Sequence, residues 1–245
     1  MTKENQIYGL HAIIKAIEAK QAINKVYLQR GLKGDLFKEL EFIIRKNRIS
    51  SSYVPIEKLN KLSEHNHQGA VATISSISFY DFEPLLEDIL AKKSTPLFLL
   101  LDQVSDVRNF GAIIRTAECC GVDAIIVPKS GSAPLNDDAI KTSAGAAFNI
   151  PITKVDHIKD ALFYLQASDV KTIAATEKTE KSIYSLNFKE SCAIIMGSEG
   201  RGINPSILKM VDYKAKLPLL GKIESLNVSV ACGVFLYEAV RQRLT

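Results

Sequence analysis

Apolar residues near the start of the chain recur with a helical period and then give way to short β-branched runs. Leu10, Ile13, Ile14 and Ile17 fall at i, i+3, i+4 and i+7, one face of an amphipathic helix. Residues 23–28 are short and rich in strand-forming side chains. A second helical stripe, Leu36, Leu40, Ile43 and Ile44, lies within residues 35–47, with Asp35 placed as a cap. Residues 69–75 alternate as a strand does. This order predicts a small α/β domain over residues 1–76.

The pattern changes near Ser76. Residues 77–95 hold acidic side chains, Pro84 and only a short helical pattern, and read as a linker. Residues 96–101 then open a second α/β domain, 96–245, with a continuous apolar run suited to a strand buried on both faces. Helices are predicted at 109–120 and 227–243, and strands at 124–127, 171–174, 192–196 and 213–218. No internal repeat or low-complexity segment interrupts them.

Composition changes little in this picture. Of 245 residues, 47% are hydrophobic and 24% charged, enough to build a core without staples. Cys119, Cys120, Cys192 and Cys232 form no C-x-x-C pair, so neither a disulfide framework nor a metal site is expected. Residues 1–6 are polar, and no apolar run is long enough to span a bilayer. The expectation is a cytoplasmic protein with no membrane partner. A net charge of +4 permits an RNA partner without requiring one.

Three polar clusters follow apolar strands of the second domain, where open parallel sheets place ligand loops. The first is Leu101 to Ala112, which presents Asn109 and, farther along the helix, Arg115, a rigid fork of donors suited to phosphate. The second is Ile194 to Gly202, with Gly197, Gly200 and Gly202 around an exposed Glu199. Glu stands where a dinucleotide fingerprint needs its second glycine, which argues against a nucleotide-binding oxidoreductase. The third is Leu217 to Ala231, with Ser225 and Asn227 ahead of the last helix. Taken singly, Asn109, Ser225 and Asn227 also read as helix caps, and the glycine run as a tight turn.

Together, in this order and spacing, the clusters resemble the three motifs of the SpoU branch of the SPOUT RNA methyltransferases. The similarity covers residues 97–243 and includes the ending Ser225-Leu226-Asn227-Val228-Ser229-Val230-Ala231. Residues 7–12 and 67–70 are similar to the substrate-binding domain of family members that methylate a guanosine ribose in large-subunit rRNA, a domain like a ribosomal-protein fold. The resemblance implies a trefoil-knotted catalytic domain, S-adenosylmethionine as cofactor, and a homodimer whose subunits jointly build each active site. Gly197, Leu217, Leu226 and Thr176 would hold the cofactor. Arg115, Asn109, Glu199, Ser225 and Asn227 would form the catalytic set, and Arg108, His67 and Gln68 would contact RNA.

The first motif departs from the family pattern, with Val107 in place of a proline and Arg108 in place of His or Gly. The resemblance assigns proton removal to Arg115. Because arginine stays protonated, its expected role is instead to clamp a phosphate and stabilise developing charge. Glu199 would orient Arg115 or accept the proton. The rival readings are a tRNA ribose methyltransferase with the same catalytic domain and a non-catalytic RNA-binding module. The domain before Ser76 argues against the first, and the presence of Asn109, Arg115 and Gly197 against the second.

Overall fold

The N-terminal apolar stripe buries one face, as its spacing predicts. In this computed structural model, which describes residues 6–245 other than 20, 22, 75 and 76, β1 (Gln6–Tyr8) leads into α1 (Leu10–Glu18). Ile13, Ile14 and Ile17 of α1 are buried. There follow β2 (Ile23–Gln29), α2 (Asp35–Lys46), β3 (Ser51–Val54), α3 (Ile56–Leu62) and β4 (Ala70–Ile74). The strands form one sheet in the order β1-β4-β2-β3, with β4 antiparallel to both neighbours and β3 parallel to β2. Alternation along β2 sends Val26 and Leu28 into a core with α1 and α2, and turns Tyr27 to the other face beside Leu59 of α3.

Strands of 3 and 4 residues and a helix of 7 are too short to show a period, so β1, β3 and α3 escaped the sequence pattern. Asp35 does not cap α2. It is the first helical residue, and Gly34 holds the cap position without a side-chain bond. Ser75, the expected strand end, and Ser76, the expected boundary, lie outside the described residues. Packing divides the chain into two units, residues up to 78 with 134–137, and residues 79–133 with 138–245.

The second unit comprises α4 (Phe82–Lys92), β5 (Leu97–Leu101), α5 (Val107–Cys119), β6 (Ala124–Pro128), α6 (Asp137–Thr142), β7 (Ile152–Val155), α7 (Ile158–Ala167), β8 (Lys171–Ala175), β9 (Cys192–Met196), α8 (Pro205–Leu208), β10 (Tyr213–Ala215) and α9 (Val228–Leu244). Its six strands are all parallel, in the order β10-β8-β9-β5-β6-β7. β5, β6 and β9 are buried along their whole length, which their unbroken apolar runs require. The stretch expected as linker contains α4, whose Leu86 is fully buried in a core with Phe98, Leu100 and α7. Its Tyr80 N–H donates to the Ile152 carbonyl of edge strand β7. α5 packs on α9, and α9 lies against β9.

From β5 the chain adds β6 and β7 on one side, then returns to place β8, β9 and β10 on the other. The direction of winding reverses between β5 and β9, and the loops leaving these two strands part around a crevice. All four cysteines are free, and no helix among the described residues is long and apolar enough to cross a membrane.

Candidate active site

The crevice is built from the strand ends outward. Asp102 directly follows the apolar β5 and is buried. Its backbone N–H donates to Met196 O at the end of β9, and its carboxylate accepts the Asn204 N–H at 2.7 Å. Burial pushes its pKa up, and the Asn204 bond opposes the shift. Asp102 therefore ties the β5 loop to the β9 loop. The sequence reading missed it, although a charged residue directly after a wholly apolar strand was a visible signal.

α5 begins at Val107 because Asp106 caps it, accepting the Asn109 N–H at 2.8 Å. That cap leaves the Asn109 side chain free to reach across the crevice. The loop after β9 closes on itself, with reciprocal backbone bonds between Ser198 and Gly202 of 3.2 and 2.9 Å. A Cβ on Gly197 would stand 2.2 Å from Gly202 C and 2.3 Å from Ile203 N, so only glycine fits where the loop returns past its own start.

Glu199 sits at the exposed tip of that loop. Its Oε1 accepts Asn109 Nδ2 at 2.8 Å and Asn227 Nδ2 at 2.8 Å. Asn227 Nδ2 also lies 3.0 Å from Asn109 Oδ1. The other end of Asn227 caps α9, where Oδ1 accepts Ser229 N at 2.9 Å and Ser229 Oγ at 2.6 Å. The helix thus fixes which way the amide points, and its donor must face the carboxylate. Three residues from three separate clusters form one network.

Beside it lies a cavity of about 640 Å³, ordinary for a small-molecule site. Its walls include Thr176 after β8, Gly197 and Glu199 of the β9 loop, and Leu217, Ser225 and Leu226 beyond β10. Met196, Ala231 and Phe235 add apolar surface, and Lys178 and Arg201 add cations without ion pairs among the described residues.

The sequence profile of the SpoU rRNA Methylase family matches residues 96–237, and that for RNA 2′-O ribose methyltransferase substrate binding matches residues 6–80. The chain belongs to the SpoU family. The 23S rRNA (guanosine-2′-O-)-methyltransferase RlmB of Vibrio vulnificus is 35% identical over 240 residues, 97% of this chain and 97% of that protein. A Staphylococcus aureus protein assigned to the TrmH family of tRNA/rRNA methyltransferases is 33% identical over 242 residues, 98% of this chain and 97% of that one. Among solved structures, the SpoU methyltransferase AviRb of Streptomyces viridochromogenes superposes with a TM-score of 0.63 at 22% identity, covering 99% of this chain and 90% of that one.

Placement of the expected SpoU residues is uneven. Asn109, Glu199 and Asn227 meet, and Ser225 lines the cavity beside them. All four expected cofactor residues, Thr176, Gly197, Leu217 and Leu226, line that same cavity. Arg115 is exposed on α5 and makes no side-chain bond among the described residues. Within the chain Glu199 makes no bond to it, and its carboxylate accepts the two amides instead. Arg108 is likewise exposed and unpaired at the first turn of α5.

His67 lies inside the N-terminal unit. It is buried, its Nδ1 accepts the Gly69 N–H at 3.0 Å, and its Nε2 donates to Asn60 Oδ1 at 2.8 Å. Both ring nitrogens are used inside the fold, where His67 shapes a turn. Gln68 beside it is exposed.

Proposed function

We propose that this chain transfers a methyl group from S-adenosylmethionine to a ribose 2′-hydroxyl of RNA, at a guanosine of large-subunit rRNA. The observation that carries the reading is the Asn109–Glu199–Asn227 network at the mouth of the cavity. Membership of the SpoU family and full-length similarity to the guanosine-specific relatives support it. The cavity suits the cofactor chemically, with apolar walls for a purine and the cations Lys178 and Arg201 for a carboxylate. S-adenosylmethionine supplies an electrophilic methyl on a sulfonium.

The residues then divide the work. Glu199 is held by two amide donors on Oε1, and its Oε2 has no partner among the described residues. Oε2 would accept the 2′-hydroxyl proton as the oxygen takes the methyl, the S–CH3 bond breaking to leave a neutral thioether. Arg115 and Arg108 lie on the same helix as Asn109, with guanidinium groups that make no bond among the described residues. They clamp the neighbouring phosphates and offset charge building on the oxygen. Ser225 orients the ribose. Holding the hydroxyl in line is worth roughly 7–11 kcal/mol in favourable cases.

The chain acts as a cytoplasmic homodimer. α9 keeps Val230 and Tyr237 more than half exposed, beside a concavity of about 440 Å³ that Tyr184 and Val234 also line, whereas Leu236 turns into the unit's own core. An exposed apolar face of this kind suits a two-fold partner. The trefoil knot implied by the family resemblance belongs to the same proposal. Incubation with methyl-labelled S-adenosylmethionine and either total rRNA or total tRNA tests the substrate. Label in a large-subunit rRNA guanosine is expected. Label in tRNA alone would transfer the reading to a tRNA enzyme.

A further inference from the structure

The loop end of the N-terminal sheet carries a second cluster of chemistry that the catalytic site does not use. Register places the ends of β1, β2 and β3 and the start of β4 at one edge. Gly9 N–H donates to Ala70 O, and Gln29 N–H donates to Gly69 O, which draws the loops together. Tyr8 and His65 stack there with ring centroids 4.6 Å apart and planes 20° from parallel. His65 is exposed, and Tyr8 keeps 39% of its surface.

Gln68 sits beside the stack in the left-handed region, at φ +49°. A long side chain is disfavoured there, and glycine would relieve the strain. The amide is kept despite that cost. A Cβ on Gly9 would come within 3.2 Å of Gln68 Oε1, so a side chain at position 9 would crowd the amide. His67 braces the turn from inside, which fixes where His65 and Gln68 emerge. Arg30 and Lys33, exposed on the adjoining loop, form no ion pair among the described residues. Of the nearby acids, Asp35 is met by Lys38, and Glu64 stands next to His65.

We propose that this edge grips an unpaired RNA nucleotide. Its base extends the Tyr8–His65 stack, the Gln68 amide bonds to the base edge, and Arg30 and Lys33 hold the flanking phosphates. The partner chemistry follows from the parts. A stacked aromatic pair needs the face of a base, which a duplex hides and a loop displays. Two unpaired cations supply the accompanying backbone contact. The inference rests on the RNA methyltransferase reading and deepens it by naming the residues within the substrate-binding unit that meet an unpaired base.

The test uses the full chain and two RNAs with equal numbers of phosphates, a hairpin with an unpaired loop and a perfect duplex, with binding read by fluorescence anisotropy. The combined variant His65→Ala, Gln68→Ala should bind the hairpin about tenfold more weakly and the duplex unchanged. His65→Phe made alone, which keeps the stack, should retain the hairpin affinity. Calorimetric affinity for S-adenosylmethionine should not move in any variant. Unchanged hairpin affinity in the double variant overturns the proposal. So does an equal loss on the duplex, which would mark a surface that senses charge only. Wild-type methyl transfer to rRNA is measured in parallel. Transfer with no effect of the variants removes the grip alone, and an affected hairpin affinity without transfer removes the catalytic reading alone.

Discussion

Replacing Asn227 by aspartate separates its two jobs. One carboxylate oxygen can still accept the Ser229 N–H, and Asp is as good a helix cap as Asn, so α9 should not lose stability. The other oxygen takes the place of Nδ2, 2.8 Å from Glu199 Oε1 and 3.0 Å from Asn109 Oδ1. The new carboxylate oxygen then faces two acceptors, while Asn109 Nδ2 still donates to Glu199 Oε1. Losing a hydrogen bond to a charged group costs about 1.5 kcal/mol at the lower end, the end suited to this exposed site. Two charges at that separation in a water-like medium add about 1.5 kcal/mol. If Glu199 must stay in place for transfer, Asn227→Asp should turn over roughly a hundredfold more slowly with saturating RNA. Like charges in contact retain a shared proton to higher pH than a lone carboxylate does. The shared proton restores a donor, so the deficit relative to wild type should shrink as the pH is lowered. Single-turnover methyl transfer across a pH series, with melting temperatures alongside, reads both effects. Wild-type turnover near pH 8 in a normally folded variant would refute the positioning role.

Arg115→Ala should leave melting and cofactor affinity intact while methyl transfer drops a hundredfold or more, about 3 kcal/mol of barrier; near-normal turnover would remove Arg115 from catalysis. Gly197→Ala should strain the β9 loop by about 1–3 kcal/mol, because its Cβ would meet Gly202 C at 2.2 Å. Lower melting and weaker cofactor binding should appear together in calorimetry, and a change in neither would contradict the closed loop. The two Arg241 hydrogen bonds to Glu238 hold that carboxyl below its ordinary pKa. The pair therefore stabilises the fold above about pH 4, and its contribution is lost as the pH falls through the lowered value. Glu238→Gln should lower stability at neutral pH and leave it unchanged in strong acid, as urea titrations at the two pH values would read.

The catalytic unit was legible where side chains are unbroken or chemically odd. β5, β6 and β9 are runs of apolar residues, and Glu199 among glycines has no packing reason to be there. What stayed hidden depends on partners far along the chain. α4 looked like linker because only Leu86 is fully buried, against residues that arrive later in sequence. Asn227 looked like a cap and is one. That it also holds a carboxylate follows only from the meeting of three loops. His67 stood in a motif, but a histidine's role depends on whether its two nitrogens are already taken, and sequence does not record that.

The pairing of β5 with β9 carries a cost in time. Leu97 aligns with Cys192, so about 95 residues must be made before the central strand gains its second neighbour. At roughly 5–20 residues per second, that takes about 5–19 s. Throughout that interval the nascent chain presents the wholly apolar edge of Leu97–Leu101, with no lysine or proline within the strand to blunt it. Crowded ribosomes making this protein hold many such edges at once, each able to pair with another. Slowing translation after residue 101 should therefore raise the insoluble fraction rather than lower it.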